Sequence, residues 1–390
     1  MYPRMMNENI FAVGAFDWDR TLFDALIPLP YGTTYNAYLI KGSKKTVLID
    51  TVDPSKLAVL KRNLNNLNID RLDYIISNHA EQDHSGSIPE ILNLYPMARL
   101  LTGKKGQDML LPLLDISPER IQVVEDREIL SLGDKTLQFI FAPWVHWPET
   151  MFTFAVEDKI LFSCDLFGAH LASSELFASK NENTLQEAKR YYAEIMMPYG
   201  GRIVKHLETL QNYDIKTIAP SHGPVYDHPE QIMSAYHEWV TGDLKNEVVI
   251  IYVTMHGSTE QLVFRLTDEL VKRNISVTPF NTVTASLGDL ALSLVDAKTV
   301  ILGSPAYLMG AHPNLIYAAY LINTLKPRTQ NVGIIGSFGW GNKMVNQLTD
   351  MLKDLTVEYL PPLLVKGNPR QQDYLDLVAL AEKIQQVHQS

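Results

Sequence analysis

The densest run of reactive side chains in this sequence is Ser77–Ser85, which reads SNHAEQDHS. Two imidazoles and two carboxylates fall within six positions there, at His79, Glu81, Asp83 and His84. Both groups are ligands of divalent transition metals, so the tract favours a metal site over the alternative of an exposed polar turn. It follows the β-rich run LDYIIS. We therefore expect it in a loop at a strand end, where sites on sheet scaffolds commonly lie.

Three more candidate ligands follow later β-rich runs. His146 lies in APWVHWPE after LQFIFA, Asp165 lies in SCDLFG after KILFS, and His222 lies in APSHGP after KTIA. Any one of them alone would be more typical of a turn residue or a core histidine with its hydrogen bonds satisfied. Because successive strand ends each deliver such a residue, we expect one shared site.

The seven candidates comprise four imidazoles and three carboxylates, which is too many for one four-coordinate ion. They suit two ions with a bridging carboxylate, at the separation of about 3.5–4 Å found in two-metal sites. Three negative charges would offset most of the charge of two divalent ions. Imidazole suits zinc or iron, whereas added carboxylate favours iron or manganese, so ligand type alone leaves the metal open.

Composition narrows the class of protein. The 390 residues carry 34 basic and 44 acidic side chains, a formal charge of −10, and one cysteine. This length predicts about two domains, and the acidic balance argues against nucleic-acid binding. Cys164 alone cannot build a disulfide, an iron–sulfur cluster or a four-cysteine iron site within these residues. With no apolar run long enough for a membrane span and no export signal, we expect a cytoplasmic protein.

The sequence changes character near Asn246. Before it, short β-rich runs with helical stretches between them predict a layered α/β sandwich. After it, the buried-strand pattern VVIIYVT (Val248–Thr254) opens a series of five strands alternating with helices, which predicts a doubly wound parallel sheet. We place the domains at 1–248 and 249–390. Residues 1–248 hold 23 basic and 33 acidic side chains and thus all the net negative charge.

Three segments of the second domain are candidates for holding a phosphorylated, flat-ringed ligand. The first joins VVIIYVT to a helix, and its hydroxyls and helix-start N–H groups suit a phosphate, although an ordinary capped helix would look similar. The other two combine aromatic and small residues at strand ends. The candidates are Thr254, Met255, His256, Gly257, Ser258 and Thr259; Ser304, Pro305, Ala306, Tyr307 and Leu308; and Ser337, Phe338, Gly339, Trp340 and Gly341.

The order of the metal candidates carries a resemblance. H-x-[HE]-x-D-H followed by a distant His, an Asp and a last His is the pattern of the metallo-β-lactamase superfamily, whose hydrolases typically have His where this chain has Glu81. Glu81, the His146-Trp147-Pro148 run and the appended α/β domain resemble the flavodiiron proteins (A-type flavoproteins). The resemblance also covers the segments GTTYNAYLI and LIDTVD. It implies a metallo-β-lactamase-like αββα sandwich followed by a flavodoxin-like doubly wound parallel sheet.

The resemblance also implies cofactors and site residues. FMN would occupy the three segments of the second domain, and two iron ions would occupy the first. By that similarity one iron would be held by His79, Glu81 and His146, the other by Asp83, His84 and His222, with Asp165 bridging; His84 is displaced from the metal in some members. Tyr192 matches a tyrosine near the substrate pocket, with helix packing as the alternative. His170 and His256 lie near the two sites, either as hydrogen-bond donors behind the ligands or as plain polar residues.

The implied activity is reduction of O2 to water, of NO to N2O, or of both, by a head-to-tail homodimer or a dimer of dimers. Electrons would come from a separate donor such as rubredoxin, a reductase or reduced coenzyme F420. One departure concerns the pocket, because Asp24 lies in the stretch where many members carry a histidine. The alternatives are a dizinc metallo-β-lactamase-type hydrolase with an appended flavodoxin-like domain, and a flavodoxin-like electron carrier with an inactive metal scaffold.

Overall fold

The structure is a computed structural model that describes residues 2–389. Its contacts divide the chain into two compact units. The first runs to Tyr192 and includes Tyr199–Val240, and the second takes Ala193–Pro198 and the chain from Thr241 onward. The division between Val240 and Thr241 lies before the predicted boundary at 248/249, because the first strand of the second unit already begins at Lys245.

The first unit contains two main sheets and two small hairpin-like sheets. The seven-stranded sheet has the order β1-β2-β7-β8-β9-β10-β11 and the five-stranded sheet the order β12-β13-β14-β15-β16, while β3 pairs with β6 and β4 with β5. The strands are β1 (Arg4–Asn7), β2 (Ile10–Ala12), β3 (Ala15–Asp17), β4 (Leu22–Phe23), β5 (Ile27–Pro28), β6 (Thr33–Tyr35), β7 (Tyr38–Lys41), β8 (Thr46–Ile49), β9 (Tyr74–Ile76), β10 (Arg99–Gly103), β11 (Ile121–Val124), β12 (Ile129–Ser131), β13 (Thr136–Phe141), β14 (Met151–Ala155), β15 (Ile160–Cys164) and β16 (Thr217–Pro220).

Helices connect these strands. They are α1 (Leu57–Asn66), α2 (Gln82–Ser85), α3 (Ile88–Leu94), α4 (Lys104–Leu113), α5 (Thr184–Tyr191), α6 (Gly200–Leu210) and α7 (Pro229–Thr241), with 3-10 turns at Pro54–Lys56, Pro118–Arg120, Ala178–Lys180 and Met197–Tyr199 and a π-helical turn at Tyr192–Met196. A fully buried cluster that includes Ile49 and Ile76 of the seven-stranded sheet and Phe139 and Phe162 of the five-stranded sheet joins the two sheets. The predicted layered sandwich is thus the observed arrangement.

The second unit is built on a mostly parallel sheet in the order β18-β17-β19-β21-β22, with β20 pairing β19 and β23 pairing β21. Its strands are β17 (Lys245–Tyr252), β18 (Ser276–Asn281), β19 (Ala297–Tyr307), β20 (Gly310–Ala311), β21 (Asn331–Phe338), β22 (Glu358–Tyr359) and β23 (Leu363–Lys366). Its helices are α8 (Ser258–Val271), α9 (Leu287–Leu294), α10 (Pro313–Leu325), α11 (Met344–Met351) and α12 (Gln371–Gln389). In chain order the strands lie 2-1-3-4-5, the flavodoxin-like order of a doubly wound sheet.

The fifth position of this sheet differs from the prediction. The sequence pattern places a strand at Val357–Leu360, but only Glu358 and Tyr359 pair there, and Leu363–Lys366 forms a second segment beside β21. Pro361 and Pro362, which lack a backbone N–H, separate the two pieces. No helix among residues 2–389 has the length and apolar character needed to cross a membrane.

Candidate functional site

The candidate metal ligands of the first unit stand just after the ends of strands. His79 and Glu81 follow β9, His146 follows β13, Asp165 follows β15 and His222 follows β16. Strands β13 and β15 are both antiparallel to β14, and β16 is parallel to β15, so these three strands end at the same edge of their sheet. Sheet topology therefore gathers residues that are up to 143 positions apart in the chain.

Four of these side chains form one donor group. Glu81 Oε2 lies 3.1 Å from His79 Nε2 and 3.2 Å from His146 Nε2. Asp165 Oδ2 lies 3.4 Å from His146 Nε2 and 3.5 Å from His79 Nε2. All four groups could contribute one ligand atom to a single ion.

The remaining side chains form a second group on the other oxygen of the same aspartate. His84 Nε2 lies 3.3 Å from Asp83 Oδ2 and 3.1 Å from Asp165 Oδ1. His222 Nε2 lies 3.2 Å from Asp83 Oδ2 and 3.7 Å from Asp165 Oδ1. Asp165 thus turns one carboxylate oxygen toward each group.

The donor atoms fit metal ions. Ligands about 2.1 Å from an ion stand about 3.0–3.4 Å from one another in octahedral or tetrahedral geometry, which is close to the separations in both groups. Within residues 2–389, both carboxylate oxygens of Asp83, both ring nitrogens of His84 and Oδ1 of Asp165 are buried without a hydrogen-bond partner. Buried polar atoms left in this way are costly, and coordination to an ion would satisfy the Nε2 and carboxylate atoms.

The charges of the two groups stabilise one another. Burial by itself lowers the pKa of His84, but the carboxylates of Asp83 and Asp165 outweigh burial and raise the pKa to about 9. Burial would likewise raise the pKa of Asp165, but His84 and His146 hold it well below its usual range. The Asp165 carboxylate is therefore anionic and attracts positive charge, whether protons on the histidines or metal ions in their place.

A glutamate that the sequence analysis does not assign orients His79. Glu149 Oε1 accepts hydrogen bonds from His79 Nδ1 at 2.6 Å and from the backbone N–H of Ala80 at 2.9 Å. Burial opposes its negative charge, but the bond from His79 lowers the pKa of Glu149. Such an outer carboxylate fixes the ring and leaves Nε2 facing the site. In the sequence, only the position of Glu149 in the run HWPE, three residues after His146, could have indicated this role.

His222 is oriented by the backbone. Its Nδ1 donates to the carbonyl oxygen of Thr34 at 2.6 Å, which leaves Nε2 for the second donor group. The backbone N–H of Asn36 donates to the carbonyl of Ser221 at 2.9 Å and joins the same two segments. The GTTYN segment, which carries part of the family resemblance, therefore supports a candidate ligand.

Tyr192 packs among other aromatic rings of the first unit, and its assignment to the substrate pocket stays a prediction. The Tyr192 ring packs against Tyr236 and Trp239, and its hydroxyl lies 3.4 Å from the carbonyl oxygen of Trp239. The neighbouring Tyr191 packs against a histidine of the metal groups, with its ring centroid 5.9 Å from that of His222. The backbone leaves α5 at this point and enters a π-helical turn, so helical spacing could not indicate which of the two rings faces the site.

Asp24 lies at the tip of a short hairpin. Asp24 and Ala25 both have positive φ, 49° and 53°, and the N–H of Leu26 donates to the carbonyl of Phe23 at 3.0 Å. The hairpin holds the Phe23 ring 5.8 Å from the His222 ring. Partial burial is the main cause that raises the pKa of Asp24, and the nearby Glu81 and Asp83 raise it further. This carboxylate therefore lies within electrostatic reach of both donor groups.

The second unit has a cavity of about 320 Å³ where its three predicted segments meet. Gly367, which the sequence analysis does not assign, also lines it; the lining residues are Thr254, Met255, His256, Ser258, Thr259, Pro305, Ala306, Ser337, Phe338, Gly339, Trp340 and Gly367. Helix α8 begins at this cavity with no side chain capping its first N–H groups. Free N–H groups at the start of a 14-residue helix suit a phosphate, so the residues fit the flavin mononucleotide implied by the resemblance.

Local contacts shape the phosphate end of the cavity. Thr254 Oγ1 accepts the N–H of Gly257 at 3.0 Å, and Gly257 adopts φ +85°. Ser258 Oγ donates to Asn368 Oδ1 at 2.8 Å. Asn368 lies with Gly367 in the turn after β23, a fourth segment marked in the sequence only by its Gly-Asn-Pro run.

Five predicted residues do not line the cavity. Ser304 and Tyr307 belong to β19, which continues through the predicted loop and turns back at Leu308 and Met309 into β20. The Ser304 hydroxyl donates to the carbonyl of Pro305 at 2.8 Å. The five are Gly257, Ser304, Tyr307, Leu308 and Gly341.

Comparison with known proteins identifies the family. The model described as ODP family beta lactamase matches residues 33–223. The nitric oxide reductase of Moorella thermoacetica is 35% identical over 391 residues, 98% of each chain. The structure of rubredoxin oxygen:oxidoreductase from Desulfovibrio gigas matches with a TM-score of 0.95, 29% identity and coverage of 99% of this chain and 98% of that one. The flavodiiron protein from Giardia intestinalis matches with a TM-score of 0.90, 25% identity and the same coverages. With two donor groups on a lactamase-like sandwich and a flavin cavity on a flavodoxin-like sheet, this chain belongs to the flavodiiron protein family.

Proposed function

We propose that this chain is an oxidoreductase that reduces O2 to water, NO to N2O and water, or both, at a pair of non-haem irons supplied with electrons by FMN. The observation that carries the proposal is the shared carboxylate of Asp165, which faces both donor groups. Two adjacent ions suit a reaction on both atoms of O2 or on two NO molecules. The names of the related proteins, which include a nitric oxide reductase and a rubredoxin oxygen:oxidoreductase, support the same pair of activities.

We assign the two irons to the two donor groups. One would be held by His79, Glu81 and His146, and the other by Asp83, His84 and His222, with Asp165 between them. These residues would hold groups that supply single-electron transfer, from FMN, and electron storage at the gas-binding site, from the iron pair. The protein's own task is to fix the ligands: Glu149 and the Thr34 carbonyl orient two of the imidazoles. The rings of Phe23 and Tyr191 flank His222 and limit the access of water.

We assign the FMN phosphate to the start of α8, where the hydroxyls of Thr254, Ser258 and Thr259 adjoin free N–H groups. The flat ring would lie toward Trp340, which is 81% exposed and therefore has a free face. We retain residues 1–248 and 249–390 as the diiron and FMN domains.

A dizinc hydrolase is the weaker candidate. Glu81 replaces the histidine typical of the hydrolases. Hydrolysis also needs no flavin, so it would not explain the cavity of the second unit. The purified protein distinguishes the two: iron with yellow FMN supports the reductase, and colourless protein with zinc supports the hydrolase.

The test of the activity is anaerobic reduction of the iron- and FMN-loaded protein, followed by separate exposure to O2 and to NO. Reoxidation of FMN and iron within the mixing time by at least one gas supports the proposal and also ranks the two gases. Reoxidation by neither gas overturns it. The Asp165→Asn variant, loaded with FMN alone, is the matched control for direct reaction of flavin with O2.

We further propose a head-to-tail dimer in which the FMN of one chain meets the irons of its partner. Large apolar side chains stand exposed in both units: Trp340 and Leu308 are 81% and 78% exposed, and Trp18 and Trp144 are 56% and 41% exposed. Exposed apolar surfaces of this kind commonly mark an interface. Mixing an iron-free Asp165→Asn variant with a flavin-free variant should restore activity, whereas a fully active monomer in sedimentation would contradict the dimer.

We propose that the electron donor is a separate molecule, such as rubredoxin, a reductase or reduced coenzyme F420. Cys164, the one cysteine of the sequence, is buried and cannot form a rubredoxin-type site within these residues. A reduced cysteine is consistent with the cytoplasm, which we propose as the compartment. Rates of FMN reduction by each donor, measured side by side, would identify the donor.

A further inference from the structure

His170 is a buried histidine that belongs to neither donor group. It is 3% exposed and follows Asp165 by five residues. Its ring centroid lies 4.7 Å from that of Phe23 and 4.9 Å from those of Tyr191 and His222. Two aromatic rings therefore hold the imidazole beside a candidate iron ligand. Because the surroundings are buried and largely aromatic, the polar ring atoms need hydrogen-bond partners there.

Among residues 2–389, only one of its two ring nitrogens has a hydrogen-bond partner. Nδ1 lies 2.9 Å from the hydroxyl of Thr33. The same hydroxyl lies 3.4 Å from His222 Nδ1, whose main acceptor is the Thr34 carbonyl. Thr33 thus fixes the orientation of His170 relative to His222.

The second nitrogen, Nε2, is buried with no hydrogen-bond partner anywhere in the described chain. Leaving such an atom unsatisfied is costly, and native proteins rarely do so. Phe23, whose ring is the nearest to that of His170, has no polar atom that could bond to Nε2. A small molecule from outside the chain is therefore the partner that this nitrogen needs.

The proton arrangement defines what Nε2 can bind. If the Thr33 hydroxyl donates to His170 Nδ1, Nε2 carries the hydrogen and needs an acceptor. If Nδ1 donates to Thr33, whose hydroxyl then points to the Thr34 carbonyl at 3.3 Å, Nε2 needs a donor. Water meets either need.

We propose that His170 is a positioning residue whose Nε2 holds a water molecule that delivers protons to the gas being reduced. This role rests on the proposed function. Reduction of O2 takes four electrons and four protons to give two water molecules, and reduction of two NO takes two electrons and two protons to give N2O and water. The external donor supplies the electrons, and the held water passes each proton on and is reprotonated from solvent. His170 holds the water in place and takes no part in the proton transfer itself.

The position of His170 suits this task. The ionisable groups that act on its ring are His222, Asp165, His84 and Glu81, which come from both donor groups. Phe23 and Tyr191 keep bulk water from the ring, so a held water would have a fixed place. Ordered buried waters of this kind make two to four hydrogen bonds, and His170 supplies the first.

The test is a matched pair of substitutions in the iron- and FMN-loaded enzyme. In His170→Asn the amide reaches the place of Nδ1, which preserves the bond to Thr33 and removes the Nε2 function. In His170→Gln the amide reaches the place of Nε2. We expect His170→Asn to lose at least tenfold in the rate of gas reduction, with a solvent deuterium isotope effect above 2, and His170→Gln to stay within about threefold of the wild type.

Iron content, flavin content and Tm should be the same in all three proteins. A crystal structure of each adds a readout independent of activity: a water within hydrogen-bond distance of Nε2 in the wild type and of the introduced amide in His170→Gln, and none in His170→Asn. Wild-type rate and isotope effect in His170→Asn would overturn the proposal. Equal losses of rate and iron in both variants would also overturn it and assign His170 a purely structural role. If His170→Asn does not fold, the ordered water and the His170→Gln isotope effect decide the outcome.

If the wild-type enzyme reduces neither gas, the proposed function fails, and the crystallographic water still tests the contact of His170. The Thr33→Val variant separates the two nitrogens further. It removes the Nδ1 anchor while keeping the volume, and it should disorder the held water without removing the Nε2 function.

Discussion

The two sites of this chain are built in opposite ways. The metal groups consist of buried side chains, with His79, Asp165 and His222 each 1% exposed, and outer partners already orient two of the imidazoles. The flavin cavity is a shallow surface feature whose aromatic wall, Trp340, is 81% exposed. The comparison indicates that the protein itself orients the metal ligands, whereas it leaves the aromatic wall of the flavin cavity uncovered.

The largest expected effect tests the buried site at its centre. Asp165→Asn replaces the carboxylate that faces both donor groups and leaves the histidines without their shared anion. We expect iron content to fall below one tenth of the wild-type value and gas reduction to fall more than 100-fold, while FMN stays bound. Metal analysis, flavin absorbance and an oxygen electrode measure the three. Retention of two irons per chain would contradict the bridging assignment.

The second-largest effect tests whether a residue that is not itself a ligand holds the metal ligands of the buried site in place. Glu149→Gln keeps the size of the side chain but removes the charge that holds His79 Nδ1. We expect a loss of about 10- to 100-fold in metal affinity. Competition with a chelator measures it. Glu182→Gln, at an exposed position, is the control and should bind metal as the wild type does.

The third effect tests the open site. Ser258→Ala removes a hydroxyl at the start of α8 together with its bond to Asn368. The loss of one hydrogen bond, about 1 kcal/mol, should raise the Kd for FMN about fivefold. Fluorescence titration of the flavin-free protein measures it. Iron content should not change, and Ser293→Ala in α9 is the matched control. A loss of iron in Ser258→Ala would show that the two sites are not built independently.

The smallest effect concerns a histidine of the second unit that lies away from the cavity. His388 Nδ1 lies 2.7 Å from Asn246 Oδ1 and Nε2 lies 2.8 Å from Thr299 Oγ1, and burial followed by Lys298 lowers its pKa to about 4. Because the folded-state pKa is below the unfolded value of about 6.5, the unfolded chain binds more protons between these pH values. Stability contributed by neutral His388 is therefore lost as the pH falls through that window.

We expect His388→Gln to lose less stability than the wild type between pH 7 and pH 4.5. Since the group is only half-buried, water screens the effect, and we expect about 1 kcal/mol at most, or about 2–4 °C in Tm. Thermal melts of both proteins at the two pH values measure it. Parallel pH dependence in both would contradict the assignment.

Much of the fold was readable from local pattern. The run VVIIYVT predicts a buried strand, and β17 forms there; the alternation of strands and helices after it predicts the doubly wound sheet, and the comparison with solved flavodiiron structures confirms it. The N-terminal strands β1–β6 were not predicted, because two- to four-residue strands carry too little periodicity to be recognised. Residues 304–308 were predicted to follow the end of a strand, although β19 runs on through Tyr307 and pairs with β20, a partner that local sequence does not reveal.

The sequence by itself determined which residues can bind metal, since the types and spacing of His79, Glu81, Asp83 and His84 are local facts. It also determined the family, through the order of the later ligands. Tertiary structure alone decided that Tyr191 packs against His222 and that Glu149 supports His79. It likewise decided that His170 keeps a free nitrogen beside them. The physical reason is that ligand type is a property of single side chains, whereas orientation depends on contacts between segments that only the folded sheets bring together.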